Sequence, residues 1–187
     1  KRLSEPNSDD DALQLALKAD GSSVRSDIYT RDILDEAYIS EVGPNIYKSF
    51  IERMNTLKST NKINDWESAA YDWRLSLDQI LASGTEMGQN ISYLTATDTP
   101  YIVQELRRLA AASRTGKVTV VAHSNGGLVA KAMMEKLGTT TTSALIDKVI
   151  LIAVPQVGTP AAIAGLLHGY DQNIPFKVSE SAMRQIG

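Results

Sequence analysis

The chain has 187 residues, 43% hydrophobic and 22% charged, with a formal net charge of −3, the size of one domain and the composition of an ordinary soluble globular protein. A weak negative charge without a basic stripe and interleaved aromatics excludes an electrostatic case for nucleic acid. The sequence has no cysteine and two histidines, which excludes disulfides, thiolate catalysis, thiolate metal sites and a histidine-rich zinc centre, and no cofactor is implied.

No apolar run, 149–155 included, approaches the ~20 residues of a membrane span, so no transmembrane helix is expected. Lack of cysteine suits an extracellular or cell-envelope protein, which is preferred here, although small cytosolic domains share the trait. The chain starts at Lys1 with no hydrophobic leader. That start does not place the protein, because a natural N-terminus can lie upstream.

Residues 1–30 are polar and rich in turn formers. Leu13, Leu15 and Leu17 alternate as in a short strand, with a short helix as the alternative, and Asp20-Gly21 supplies a turn. Asp9, Asp10 and Asp11 lack the loop pattern and distal Glu of a calcium site and read as a solvated acidic turn. A helix follows Gly43-Pro44-Asn45, with Ile46, Phe50, Ile51, Met54 and Leu57 at helical spacing, and ends at Ser59-Thr60-Asn61. Residues 66–73 read as a short buried strand with an aromatic finish, and 74–98 as a long loop containing Gly84 and Gly88, of the length often used for lids or binding loops.

A second helix starts near Thr99-Pro100. It buries Ile102, Val103, Leu106, Leu109 and Ala110, turns Arg107, Arg108 and Arg114 outward, and closes at Gly116. Residues 117–122 are a β-branched strand, 123–127 a turn, and 128–137 a helix burying Leu128, Val129, Ala132, Met133 and Leu137. Thr139 to Thr142 read as a polar connector. Residues 148–154 form another apolar strand, and 155–158 a loop into a short helix from Thr159-Pro160 to about Gly169. Alternating strands and helices predict an α/β fold with a parallel sheet covered on both faces.

The chemistry sits in the turn. Ala122-His123-Ser124-Asn125-Gly126 has the small-x-Ser-x-Gly pattern of a nucleophile elbow, and it comes after a strand and opens a helix, as that motif requires. The chain must reverse within about four residues, so the side chains two before and two after the serine must be small; Ala122 and Gly126 are. Gly127 lets the following helix approach the sheet. In this geometry the Ser124 hydroxyl projects from the strand's carboxyl end. The Asn125 N–H aims at the oxyanion of a tetrahedral intermediate, aided by the helix N-terminus.

A serine hydroxyl needs a histidine to take its proton, and on this fold the order is Ser, Asp or Glu, then His. Asp147 precedes the one later strand and belongs at the wrong end of the sheet. His168 reads as a surface or helix-end residue, and His123 is expected to pack beside the elbow. The expectation is therefore that residues 1–187 are part of a single α/β-hydrolase domain, with the oxyanion strand before residue 1 and the acid and base beyond residue 187. Such a piece should fold poorly in isolation, and a cooperative melt would count against that expectation.

Three blocks then carry a family resemblance: Ala70-Tyr71-Asp72-Trp73-Arg74, Ala122-His123-Ser124-Asn125-Gly126-Gly127, and Ala153-Val154-Pro155-Gln156-Val157-Gly158-Thr159-Pro160. Their order and spacing resemble the lecithin:cholesterol acyltransferase family of lipases and acyltransferases, and more distantly the GPI inositol-deacylase-like hydrolases. The likeness covers about residues 45–170, and the Tyr-Asp-Trp-Arg block is its most discriminating part. Leu3 to Asn7 resemble the segment directly after the family's Pro-Gly-containing oxyanion strand.

The resemblance implies an acyl-ester or lipid substrate, Ser124 as nucleophile and Asn125 as an oxyanion donor; no matched Asp or His accompanies them. Tyr71, Asp72, Trp73 and Val157 are candidate substrate-pocket residues, with aromatic packing and an Asp72–Arg74 or backbone hydrogen bond as the structural alternative. Thr159 reads as a helix N-cap and Pro160 as its first residue. Two rivals stand beside the acyl-ester reading. One is a catalytically incomplete α/β-hydrolase scaffold with a binding role. The other, a nucleotide-binding domain, needs a phosphate loop whose spacing and lysine Asn125-Gly126-Gly127 lacks.

Overall fold

The computed structural model describes residues 15–25, 27–35 and 45–160. The acidic run at 9–11, Leu3 to Asn7, Leu13, Gly43-Pro44, and His168 with its helix beyond Pro160 lie outside the described residues. The elements are α1 (Lys48–Ser59), α2 (Leu77–Ile80), β1 (Ser83–Met87), β2 (Asn90–Ala96), α3 (Tyr101–Ala112), β3 (Val118–His123), α4 (Asn125–Leu145) and β4 (Ile146–Ile152).

The parallel sheet expected from the sequence is present as one pair, β3 beside β4, with Val120 opposite Val149 and His123 opposite Ile152. The strand expected at 66–73 forms no ladder among the described residues. Its apolar content serves side-chain packing instead. Ala70 is buried and its carbonyl accepts from the Tyr93 hydroxyl at 2.8 Å. The Trp66 ring stands edge-on to Phe50 and its indole N–H donates to Asn55.

The expected long loop at 74–98 is largely structured. A capping box at Ser76 and Gln79 starts the single turn α2, and an antiparallel hairpin comes next, with Met87 opposite Asn90. The two-residue turn Gly88-Gln89 joins its strands. Gly88 has φ +67°, the conformation that places glycine first in a tight hairpin turn. Ile91 and Tyr93 alternate inward along β2 and join the core.

That core lies where α3 meets the hairpin and α4. Tyr101, Ile102, Val103, Leu106 and Ala110 form the buried stripe of α3, and Val129, Ala130 and Met133 that of α4. Ile80, Leu81 and Ile146 complete it. Leu109, expected inside, is only half-buried, and Arg107, Arg108 and Arg114 face out as expected. Thr139 to Thr142, expected to be a connector, are helical. They belong to a second helical stretch after a kink at Gly138 (φ 74°, ψ 163°).

A largely buried ion pair ties the N-terminal turn to the segment before the hairpin. Arg74 donates through Nε to Asp72 Oδ1 at 2.8 Å and through Nη2 to Oδ2 at 2.6 Å, in a two-pronged pair. The same guanidinium donates to the Leu15 carbonyl and to Ser23 Oγ, each at 2.8 Å. The arginine and aspartate side chains are 4% and 13% exposed, so neither charge can recover water if its partner goes. Replacing Asp72 with Asn should cost about 3–5 kcal/mol in denaturant unfolding. Arg74→Lys should also destabilise, because an ammonium cannot reproduce the fork; a melt unchanged by either substitution would contradict this role.

Candidate functional site at the β3–α4 turn

Ser124 closes a strand and opens a helix. Its N–H donates to the Ile152 carbonyl at 2.9 Å, extending the parallel ladder beyond His123, and its own carbonyl accepts from Gly127 N–H at 3.0 Å in the first turn of α4. Between those bonds the backbone takes φ 50° and ψ −127°, outside the regions an L-residue ordinarily occupies. Such a conformation costs about 1–3 kcal/mol and persists only where its surroundings enforce it.

Gly127 supplies part of that enforcement. A Cβ at this position would stand 2.1 Å from Val154 Cγ2, so α4 presses onto the segment after β4 where only glycine fits. Gly126, expected to be the critical small residue, would meet nothing closer than Tyr71 Oη at 3.8 Å, an ordinary contact. Ala122 is buried as the strand's last inward position.

Serine at a helix N-cap ordinarily accepts a bond from the first turn. Ser124 makes no such side-chain cap; the residue is exposed, and its hydroxyl has no hydrogen-bond partner among the described residues. The Asn125 N–H is the first of the helix and belongs to the group that no carbonyl within a helix can satisfy. A hydroxyl and an unsatisfied N–H thus lie side by side at the positive end of α4.

Two tyrosines flank the turn. Tyr47 Oη lies 2.6 Å from His123 Nδ1, with the rings edge to face at 5.7 Å, so the residue that leads into α1 is tied to the end of β3. Asn125 Nδ2 donates to Tyr71 Oη at 3.3 Å. Burial pushes the Tyr71 hydroxyl pKa up, against the Asn125 hydrogen bond, and the phenol stays neutral with its proton free to donate.

Of the four residues expected at a substrate pocket, Tyr71 alone has a described bond to the turn. Asp72 is held in its pair with Arg74. Trp73 is 59% exposed and Val157 fully so, the latter in a turn closed by Gly158 N–H to Pro155 O. Neither of the two described clefts, about 500 and 410 Å³, is lined by Ser124 or by any of these four residues. The Tyr47–His123 bond was not expected from the sequence, since nothing local links positions 76 residues apart.

The strain at Ser124 has a direct test. Both Ser124→Gly and Ser124→Ala delete the hydroxyl, but only glycine accepts a positive φ without steric cost. The Gly variant should unfold at a higher denaturant midpoint than the Ala variant, by about 1 kcal/mol once glycine's extra chain entropy is set against the relieved strain. An Ala variant as stable as the Gly variant would contradict the strained bend.

Among the described residues no helix is long and apolar enough to cross a membrane, and no group of three or more His, Cys, Asp or Glu could hold a metal ion. Comparison with curated proteins and with solved structures found no match. A family model described as lecithin:cholesterol acyltransferase matches residues 9–187, and the α/β-hydrolase fold this implies accords with the parallel β3–α4–β4 unit, although the hairpin and unpaired 66–73 segment do not extend that sheet. On that match, the chain belongs to the lecithin:cholesterol acyltransferase family.

Proposed function

We propose that Ser124 is the nucleophile of a serine hydrolase or O-acyltransferase acting on acyl esters of lipids. The observation that supports this most is the bend at Ser124, with its uncapped, exposed hydroxyl beside the first N–H of α4, in a member of a family of acyltransferases and lipid-ester hydrolases.

In the proposed reaction, Ser124 Oγ attacks the ester carbonyl carbon as a general base removes its proton. The carbonyl π electrons move onto oxygen, and the Asn125 N–H donates to that oxyanion. One such donor is worth about 3–4 kcal/mol of barrier. Collapse breaks the ester C–O bond, the alcohol leaves with the proton held by the base, and an acyl-serine remains. Water or a second alcohol then attacks that ester by the same steps and frees Ser124. Tyr71 fits a wall of the site that orients the Asn125 side chain. Trp73 and Val157, apolar and exposed, suit contact with an acyl chain or lipid surface, while the bond set of Asp72 argues for a supporting role.

A second reading has its own observation. Among the described residues no histidine or carboxylate hydrogen-bonds to the Ser124 side chain, and Nδ1 of the adjacent His123 is engaged by Tyr47. An elbow without a base would serve a scaffold with a binding role; the catalytic reading takes its base from outside the described residues. Hydrolysis of p-nitrophenyl butyrate by the full-length protein separates the two. Ser124→Ala should lower kcat by about 10³-fold or more, with KM little changed. Turnover that is absent in the native protein, or that survives the substitution, would favour the scaffold.

A further inference from the structure

The geometry points to a spontaneous covalent modification beside Ser124: in the folded protein Asn125 loses its side-chain amide to the backbone nitrogen of Gly126. The residue is thereby converted to aspartate and isoaspartate. Asn125-Gly126 is the one Asn–Gly pair in the sequence. Glycine in second place leaves its nitrogen unhindered, because no Cβ stands in the path of attack.

The surroundings favour the reaction here. The Gly126 N–H has no hydrogen-bond partner among the described residues. It belongs to the unsatisfied N–H groups at the positive end of α4, where the field eases loss of its proton. Asn125 is exposed, and its one described side-chain bond runs from Nδ2 to Tyr71 Oη at 3.3 Å, which leaves its carbonyl without a partner. A helical backbone holds the Gly126 nitrogen away from Asn125 Cγ, so the first turn must open. The one described bond that ties this turn back to Ser124 is the Gly127 N–H to its carbonyl. Glycine is a poor helix former, and opening lets Ser124 leave its strained positive φ. Gly127, seated against Val154, confines the opening to the residues before it.

The atoms balance without a further reactant. Hydroxide takes the Gly126 amide proton, the nitrogen bonds to Asn125 Cγ, and the Cγ–Nδ2 bond breaks as ammonia leaves with a proton from water. Water then opens the cyclic imide. Cleavage of its N–Cγ bond gives aspartate; cleavage at the main-chain carbonyl carbon gives isoaspartate, with the chain rerouted through the side chain. Either product sets a carboxylate at the helix N-terminus, where the dipole favours it. On the proposed reading of Ser124 as nucleophile, that charge opposes the oxyanion; this consequence rests on that reading, and the modification does not.

Mass-spectrometric peptide mapping of the folded full-length protein, incubated in mildly alkaline buffer, tests the modification without reference to activity. Asn125 should convert ahead of every other asparagine, and faster as pH rises. Gly126→Ala should slow conversion by about tenfold or more through hindrance at the attacking nitrogen. Its added Cβ meets nothing closer than Tyr71 Oη at 3.8 Å, so this variant should melt no lower than the native protein. Conversion in a protein without esterase activity would support the modification and count against the nucleophile alone. An Asn125 that converts only after unfolding, or at an equal rate in Gly126→Ala, would overturn the proposal.

Discussion

A single residue has to end a parallel strand and begin a helix, and much of the local architecture depends on how that is achieved. The N–H of Ser124 is held by Ile152 O while its carbonyl takes the Gly127 N–H. Two bonds on one residue, to a strand on one side and a helix on the other, accompany a positive φ that serine tolerates poorly. The offset comes from larger surfaces. α4 buries Val129, Ala130 and Met133 and can approach the end of β4 because Gly127 has no side chain to meet Val154. A valine or methionine side chain contributes roughly 1.5–3 kcal/mol when fully buried, so packing of α4 outweighs the strain just before its first residue.

The bend also changes what the serine can do. A relaxed N-cap would commit the hydroxyl to the helix's own N–H groups. Here the hydroxyl is left uncapped, and the adjacent N–H of Asn125 is without an intrahelical acceptor. The surroundings then fix neighbours rather than the serine: Tyr47 secures His123, and Tyr71 secures the Asn125 side chain. Asp72, next in sequence to Tyr71, is anchored by Arg74, and that pair holds the segment that delivers this tyrosine. Fold and proposed chemistry thus share the same supports.

Strong local patterns make β3, α3 and the turn at Ser124 legible in the sequence: a β-branched run, an apolar stripe at helical spacing, and small residues around a serine. The hairpin escapes such a reading because its turn is Gly88-Gln89 rather than Asn-Gly or Asp-Gly, although Ile91 and Tyr93 do alternate. Residues 66–73 mislead in the other direction, since a short run of apolar and aromatic residues resembles a strand whether or not a partner strand exists; Ala70 is its one buried residue. Thr139 to Thr142 resemble a connector because threonine is a weak helix former. In the fold Ser143 Oγ returns to the Thr139 carbonyl within the helix, and Thr142 Oγ1 reaches back across the Gly138 kink to the Met134 carbonyl. The Tyr47–His123 and Tyr71–Asn125 contacts depend on tertiary placement and leave no trace in local spacing.

The central claim is that the chain bends sharply at Ser124 and leaves its hydroxyl exposed, where we propose that it acts as a nucleophile. Peptide mapping of the folded full-length protein after treatment with a fluorophosphonate tests it most directly. The account predicts one phosphonyl adduct, on the peptide carrying Ser124, that disappears when the protein is unfolded before labelling. No adduct on that peptide, or labelling scattered over several serines and insensitive to unfolding, would contradict it.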